Sequence, residues 1–336
     1  MSTIKAVVQS RAGDPAEVLD IADVDAPPPP GPGQVTIAVT RFPVHPGDLQ
    51  TIAATQPGGH PAAVGAEATG VITAAGAGVE LAVGIRVAAF FVGGAWRQKI
   101  TVDADAVVAV PDALTDDVAA QMLINPITVL MLRRAAQQHH NVVFDGVILN
   151  NGAASSVGRL FTAGAKHHQI ATISIVRSAA RADELSRRFP DVPVVSTDAT
   201  DWKDQVRSAA AGRPIAVALD PIGGNASTDL LTLVDPGGSL ILYGMMAPEQ
   251  IPLHASTLVH RDLTIRGLTI GRWALSSAEQ KKSDLASAVA ISQGLASQFD
   301  VAATYPMDRI RDAAAHAARS GKTGTILVDA TLGATP

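Results

Sequence analysis

The chain has 336 residues, a length typical of two domains, and 47% of them are hydrophobic, so a sizeable core can form. The net charge is −5 and no basic stripe is present, which argues against nucleic acid or an anionic membrane as a partner. Cysteine is absent, and this excludes disulfides, thiol nucleophiles and cysteine-ligated zinc. The N-terminus does not resemble a signal peptide, and no apolar run reaches the ~18 residues of a spanning helix. We therefore expect a cytoplasmic protein.

The first third of the chain has the pattern of a β-rich domain. Short runs bounded by turn residues predict strands at Ile4–Gln9, Gln34–Thr40, Gly70–Ala75, Ile85–Phe91 and Arg97–Val102. A proline-rich segment, residues 27–33, indicates a stiff surface connection between the first two.

The spacing of apolar residues changes from a strand pattern to a helical pattern at about residue 116. Helical patterns cover 116–123 and 126–138. Six predicted strands then alternate with helices: strands 146–151, 170–176, 192–195, 214–219, 238–243 and 263–268, and helices near 157–167, 180–188, 201–210 and 225–233. This alternation predicts an α/β fold with a doubly wound parallel sheet.

The β pattern returns near the C-terminus. A helix at 278–296 is followed by a strand at 301–305, a helix at 307–319 and a strand at 323–329. We therefore predict a β-rich domain made of residues 1–124 and 297–336, with a dinucleotide-binding domain of residues 125–296 inserted between its two pieces.

The segment that follows the first strand of the predicted parallel sheet is the most informative. An apolar run, residues 146–149, leads into small residues up to Gly158, and a helical pattern follows. Such a turn directs backbone N–H groups and the positive end of a helix at one spot, which suits a pyrophosphate. Only Gly152 and Gly158 remain of the usual glycine fingerprint, so an ordinary strand–turn–helix is the alternative.

The end of the next strand bears on cofactor choice. Arg177 follows the strand directly, 19 residues beyond Gly158, and the nearest acidic residue is Asp183. An acidic residue at the strand end usually binds the ribose hydroxyl of NADH, whereas an arginine suits the 2′-phosphate of NADPH. The sequence therefore favours NADPH, and a surface arginine without a ligand is the alternative.

Several short motifs, in order, resemble those of zinc-independent medium-chain dehydrogenases/reductases, in the branch of 2-enoyl thioester reductases and quinone oxidoreductases. The motifs are residues 5–8, 32–35, 44–49, 65–71, 83–87, 124–128 (Ile-Asn-Pro-Ile-Thr), 154–158 (Ala-Ser-Ser-Val-Gly), 175–177, 220–224 (Asp-Pro-Ile-Gly-Gly), 237–246 and 265–268. The resemblance implies a Rossmann domain inserted in a GroES-like catalytic domain, a homodimer and NADPH as cofactor.

The resemblance also implies a set of cofactor-binding residues. Asn125 and Thr128, expected just before a helix, would bind the ribose or carboxamide, although as residues alone they could equally be a turn and a helix cap. The remaining residues are Ser155, Ser156, Val157 and Gly158 for the pyrophosphate, Arg177 and Ser178 for the 2′-phosphate, and Tyr243, Gly244, Met245, Met246, Leu268, Thr269 and Ile270 for the nicotinamide half. A core aromatic is the alternative for Tyr243.

The positions of the zinc ligands in the zinc-dependent relatives are changed. His45 stands where those relatives have a cysteine, and Ala66 stands where they have a histidine. His45 and Glu67 leave a catalytic zinc one ligand short of the usual three. We therefore expect no metal and a metal-free hydride transfer.

The substrate half departs from the resembled branch. Gln56 occupies the position of a tyrosine thought to orient or protonate the substrate, and glutamine cannot give up a proton. Thr269 replaces the first of two tryptophans, and Trp273 keeps the second. A lysine expected before the last strand is Thr325 here, although Lys322 is close.

These observations favour an NADPH-dependent reductase of an activated C=C bond in a small molecule, such as an enone, an acrylate-like acid or a quinone. The alternatives are a true 2-enoyl thioester reductase and a catalytically idle NADPH-binding sensor. Three basic residues, His60, Arg97 and Arg272, could form an anion-binding pocket for the substrate or lie solvated on the surface.

Overall fold

The computed structural model describes residues 2–58, 61–90, 92–138 and 146–332. The chain separates into two compact units, one formed by Met1–Pro126 with Lys282–Pro336 and the other by Ile127–Lys281. The second boundary falls earlier than the 296/297 boundary suggested by the sequence pattern. Part of the reason is Ser292, which is buried and donates a hydrogen bond to the Met122 carbonyl over 3.4 Å, so this helix packs largely within the first unit.

The chain forms sixteen strands and eleven α-helices within the described residues. The strands are β1 Thr3–Gln9, β2 Leu19–Asp25, β3 Gln34–Val44, β4 Ala62–Ala63, β5 Glu67–Ala75, β6 Arg86–Phe90, β7 Lys99–Asp103, β8 Val107–Ala109, β9 Val147–Asn151, β10 Thr172–Val176, β11 Val194–Ser196, β12 Ile215–Asp220, β13 Ser239–Leu242, β14 Thr264–Gly267, β15 Val301–Pro306 and β16 Thr325–Asp329. The helices are α1 Pro15–Val18, α2 Pro46–Ala54, α3 Asp116–Ala119, α4 Ile124–Gln138, α5 Ser156–His167, α6 Ala179–Arg188, α7 Trp202–Ala210, α8 Gly224–Leu233, α9 Ala255–Val259, α10 Ala278–Gly294 and α11 Ile310–Ala318.

The first unit is β-rich, as predicted. One sheet has the order β2-β1-β4, and a larger one has the order β15-β16-β3-β5-β6-β8 with β7 paired to β3. An apolar cluster in its core contains Phe42 and Trp96, whose rings stack with centroids 5.4 Å apart. The C-terminal strand β16 completes this core by pairing antiparallel with β3.

The second unit is the predicted doubly wound sheet. Its six strands are parallel and ordered β11-β10-β9-β12-β13-β14. Strand β9 is buried along its whole length, as expected for a central parallel strand covered by helices on both faces. The strand order reverses between β9 and β12, and doubly wound sheets bind ligands outside the carboxyl ends of the strands at such a point. None of the helices in the described segments has the length and apolar character needed to cross a bilayer.

Candidate cofactor and active site

The turn between β9 and α5 is closed by a serine cap. The Ser155 hydroxyl accepts a hydrogen bond from the Gly158 amide over 3.1 Å, while Ser156 and Val157 form the first turn of the helix. A Cβ atom at Gly158 would lie 2.6 Å from the Gly152 carbonyl oxygen, so only glycine fits there. Gly152 itself has a φ of +65°, in the left-handed region. The helix therefore begins very close to the strand, which suits a pyrophosphate.

A polar side chain from the strand fixes the start of this helix. Asn150 is fully buried, and its amide nitrogen donates to the Gly158 carbonyl over 2.9 Å and to the Thr162 hydroxyl over 3.0 Å. Buried polar groups of this kind hold one arrangement because leaving them without a partner is costly.

Asp220, at the end of β12, organises the point where the strand order reverses. Its buried carboxylate accepts hydrogen bonds from the Asn151 amide (2.9 Å) and the Ser227 hydroxyl (2.6 Å). It also accepts from the backbone amides of Ile222 (2.8 Å) and Gly223 (3.2 Å). Sequence reasoning did not assign Asp220 to the site, although an acidic residue directly after a buried strand was the available signal.

Tyr243 places a hydroxyl group among these residues. The oxygen is buried and has no hydrogen-bond partner among the described residues. Burial, followed by the charge of Asp220, raises the pKa of Tyr243 above its usual range, and the nearby Ser155 hydroxyl offsets this in part. Because a buried hydroxyl without a partner destabilises a protein, its position beside Ser155 fits a ligand that would complete its hydrogen bonding.

The segment after β13 continues the carboxyl edge of the sheet. Gly244 packs against the backbone after β12, and a Cβ atom there would lie 2.4 Å from the Pro221 carbonyl oxygen. Met245 and Met246 follow and are 68% and 48% exposed, which is unusual for large apolar side chains. The segment therefore offers an exposed apolar surface at this edge.

The segment after β14 ends in a short 3₁₀ helix. The Leu268 amide donates to the carbonyl at the end of the neighbouring β13 over 2.7 Å. Thr269 caps the 3₁₀ helix that starts at Ile270, and its hydroxyl accepts from the Gly271 amide over 3.3 Å. Trp273 lies within that helix and is buried, and Lys281 Nζ is 6.0 Å from the centroid of its ring.

Arg177 and Ser178 lie at the carboxyl end of the adjacent strand β10. Arg177 is exposed and forms no ion pair within the described residues. Ser178 is the N-cap of α6, and its side chain makes no capping hydrogen bond. An exposed cation beside the N-terminus of a helix is favourable for binding an anionic group.

Asn125 and Thr128, in contrast to the prediction, lie inside the first turns of α4 rather than before it. The Glu67 carboxylate caps the start of this helix by accepting from the backbone amides of Leu123 (2.8 Å) and Ile124 (3.2 Å). Both site residues are buried, and the Asn125 amide nitrogen has no partner in the described part of the chain.

The second oxygen of Glu67 binds His45. His45 Nε2 and Glu67 Oε2 are 2.7 Å apart, and both side chains are buried. Burial lowers the pKa of His45, but Glu67 outweighs this effect and the net shift is upward. No group of three or more His, Asp or Glu side chains suited to a metal ion occurs among the described residues.

The residues proposed for the substrate half lie in different parts of the chain and differ in their contacts. Gln56 is exposed, and its side-chain oxygen accepts a hydrogen bond from the Ala12 amide over 3.2 Å. Arg97 lies in the first unit and donates to the Gly94 carbonyl over 2.6 Å, whereas Arg272 is exposed in the second unit. His60 lies outside the described residues.

Thr325, at the position of the expected lysine, and the nearby Lys322 both lie in the first unit. Thr325 is buried, and its hydroxyl donates to the Gln121 side-chain oxygen over 2.6 Å. It is therefore part of the core. Lys322 is close enough to His45 for its charge to act against protonation of the imidazole.

Comparison with known proteins places these features in a family. Residues 31–112 match the alcohol dehydrogenase GroES-like domain, and residues 156–288 match the zinc-binding dehydrogenase domain. The mitochondrial enoyl-[acyl-carrier-protein] reductase of Caenorhabditis elegans is 27% identical over 80% of this chain and 79% of its own length. The human protein of the same name is 26% identical over 80% and 73%.

Solved structures share the fold over nearly the whole chain. The quinone oxidoreductase of Pseudomonas syringae superposes with a TM-score of 0.83 at 23% identity, over 97% of this chain and 99% of its own. The Escherichia coli quinone oxidoreductase, solved with NADPH, has a TM-score of 0.82 at 19% identity and the same coverage. The chain belongs to the medium-chain dehydrogenase/reductase family of oxidoreductases and resembles its enoyl reductase and quinone oxidoreductase members.

Proposed function

We propose that this oxidoreductase uses NADPH, without zinc, to reduce an activated C=C bond or a quinone. The observation that carries the proposal is the exposed guanidinium of Arg177 at the end of β10, beside the N-terminus of α6 and with no carboxylate paired to it among the described residues. A 2′-phosphate would form charge-assisted hydrogen bonds with this group.

Other groups in the two units fit the rest of the cofactor. The capped N-terminus of α5, with Ser155 and Gly158, would bind the pyrophosphate. The Tyr243 hydroxyl is a buried donor at the same edge of the sheet, and the Asn125 amide is a buried donor in the first unit. NADPH, when bound, supplies a hydride, and the protein supplies the contacts that orient it.

Zinc independence is proposed from the donor set. A catalytic zinc takes three protein ligands, and the chain has no cysteine. His45 and Glu67 are engaged with each other at 2.7 Å, and the other oxygen of Glu67 accepts two backbone amides. The residues at the former ligand positions are thus satisfied by the protein itself.

The substrate carbonyl must be polarised by hydrogen bonds when no metal does so. Hydride addition to the β-carbon of an enone leaves an enolate, which is then protonated at the α-carbon. Gln56 can donate a hydrogen bond to the carbonyl oxygen but has no proton to give, so we assign it substrate orientation and assign protonation to water.

A second candidate is reduction of a 2-enoyl thioester. The enoyl-[acyl-carrier-protein] reductases that match most of the chain favour it. Gln56 in the position of the tyrosine disfavours it, since the expected proton donor is lost. An idle cofactor-binding protein would keep the cofactor contacts and lack turnover altogether.

One screen separates these three functions. Loss of NADPH absorbance is followed with a quinone, a small enone and a 2-enoyl thioester, with NADH in parallel. We expect turnover of the first two with NADPH. Preference for the thioester would favour the second candidate, and NADPH binding without turnover of any acceptor would favour the idle protein. The homodimer and the cytoplasmic location stay predictions.

A further inference from the structure

The buried pair of His45 and Glu67 joins two segments of the first unit that carry candidate site residues. His45 is the N-cap of α2, the helix that leads to Gln56. Glu67 starts β5 and reaches the residues just before Asn125. The carboxylate is 1% exposed and satisfied on both oxygens, by an imidazole on one side and by two backbone amides on the other.

The amides that Glu67 accepts belong to Leu123 and Ile124. These amides lie at the start of α4, where a carboxylate is also favoured by the helix dipole. Asn125 is the next residue, is 4% exposed and has its amide nitrogen without a partner among the described residues. Asn125 therefore directly follows the two amides that Glu67 accepts.

Resting on the proposed function, we propose that Glu67 is a positioning residue for hydride transfer. Together with His45 it forms a junction of protein groups that fixes the start of α4, and thereby the Asn125 amide that orients the nicotinamide. Glu67 touches neither substrate nor cofactor in this role. The junction occupies the positions where zinc-dependent relatives hold a metal, and here these positions fix the start of α4.

Three variants test the junction: Glu67→Ala, Glu67→Gln and, as a control for lost stability, Ile72→Ala. The glutamine oxygen can still accept from Leu123 and Ile124, and its amide can donate to a neutral His45. Ile72 is buried in the core of the same unit and is not part of any site.

We expect Glu67→Ala to lower kcat with a quinone about tenfold or more, while the Kd for NADPH changes less than about threefold, because the phosphate contacts lie in the other unit. Glu67→Gln should keep kcat within about threefold of the unmodified protein. Ile72→Ala should lower the Tm without changing kcat. Equal kcat values for Glu67→Ala and Ile72→Ala, or a Glu67→Gln variant as slow as Glu67→Ala, would overturn the proposal.

Hydrogen exchange provides a readout that does not need turnover. The amides of Leu123 and Ile124 should exchange faster in Glu67→Ala than in Ile72→Ala at equal stability, and those of β5 should not. Unchanged exchange at both amides would overturn the junction. If the unmodified protein reduces no acceptor, the proposed function fails by itself, and the exchange experiment still decides whether Glu67 holds the start of α4.

Discussion

The two units differ in how their candidate sites are built. In the second unit the proposed cofactor residues follow strands of a regular parallel sheet, and several of them are small. Gly158 and Gly244 occupy places set by the close approach of main-chain atoms, and the Ser155 hydroxyl caps the start of α5. In the first unit the candidate site depends on individual side chains such as Gln56, His45 and Glu67. A site set by main-chain packing follows from the fold, whereas a site that depends on individual side chains can change without a change of fold.

The largest expected effect tests the second unit. Arg177→Ala should weaken the binding of NADPH by about 10–150-fold, since charge-assisted hydrogen bonds to phosphate are worth roughly 1.5–3 kcal/mol. NADH, which lacks the 2′-phosphate, should be nearly unaffected. Titration of both cofactors against Arg187→Ala, an exposed arginine at the other end of α6, gives the matched comparison. Equal losses for both cofactors would show that Arg177 does not bind the 2′-phosphate.

The substrate side is tested by Gln56→Ala. Loss of one hydrogen bond to the substrate oxygen should reduce kcat/KM by an amount equivalent to about 1–3 kcal/mol, without abolishing turnover. Gln56→Tyr is expected to raise activity on enoyl thioesters. The side-chain oxygen of Gln56 also accepts a hydrogen bond from the Ala12 amide. Tm is therefore measured for both variants, to distinguish loss of this loop contact from loss of a substrate contact. Unchanged kinetics of Gln56→Ala on every active substrate would remove Gln56 from the site.

The sequence predicted the second unit better than the first for a physical reason. The strand–turn–helix around Gly158 is local, so its pattern is visible in one window. The sequence missed β2 because three of its seven residues are aspartate, and it missed α2 because Pro46 and Gly47 look like a turn. The capping of α4 by Glu67 joins residues 56 positions apart, which no local pattern reveals.

The pH dependence of stability is expected to come in part from Asp48, which lies beside His45. Burial raises the pKa of Asp48 from 3.8 to about 6, although His45 opposes this. A raised folded pKa means that the contribution of Asp48 to stability is full below its unfolded pKa and is lost as the pH rises through about 6.

Asp48→Asn should remove that loss while keeping an acceptor for the His45 amide. The fall in unfolding free energy from about pH 4 to about pH 7 should therefore become smaller by about 2 kcal/mol. Urea denaturation at several pH values measures it, and a curve parallel to that of the unmodified protein would contradict the assignment.

Tyr243→Phe sharpens the comparison within the cofactor site. Its hydroxyl has no partner among the described residues, so its removal should leave the Tm of the free protein unchanged or raise it. NADPH and NADH should both bind more weakly, by about 2–10-fold, because both carry the groups that a neutral donor would bind. Tyr305→Phe is the control, since that hydroxyl binds His316 at 3.0 Å and its loss should lower stability only. A drop in Tm for Tyr243→Phe without a change in either Kd would make Tyr243 a core residue.

The smallest expected effect is that of metal removal. His45 and Glu67 are satisfied by each other and by backbone amides, and Ala66 cannot bind a metal, so dialysis against a strong chelator should change neither activity nor Tm. Metal analysis of the purified protein should find no stoichiometric zinc. A different result would contradict this expectation: one zinc per chain whose removal abolishes activity and whose return restores it. It would show that the first unit holds a metal site. It would also replace the protein-only junction of His45 and Glu67 with a coordination sphere, since a zinc ion and the 2.7 Å contact compete for the same imidazole nitrogen.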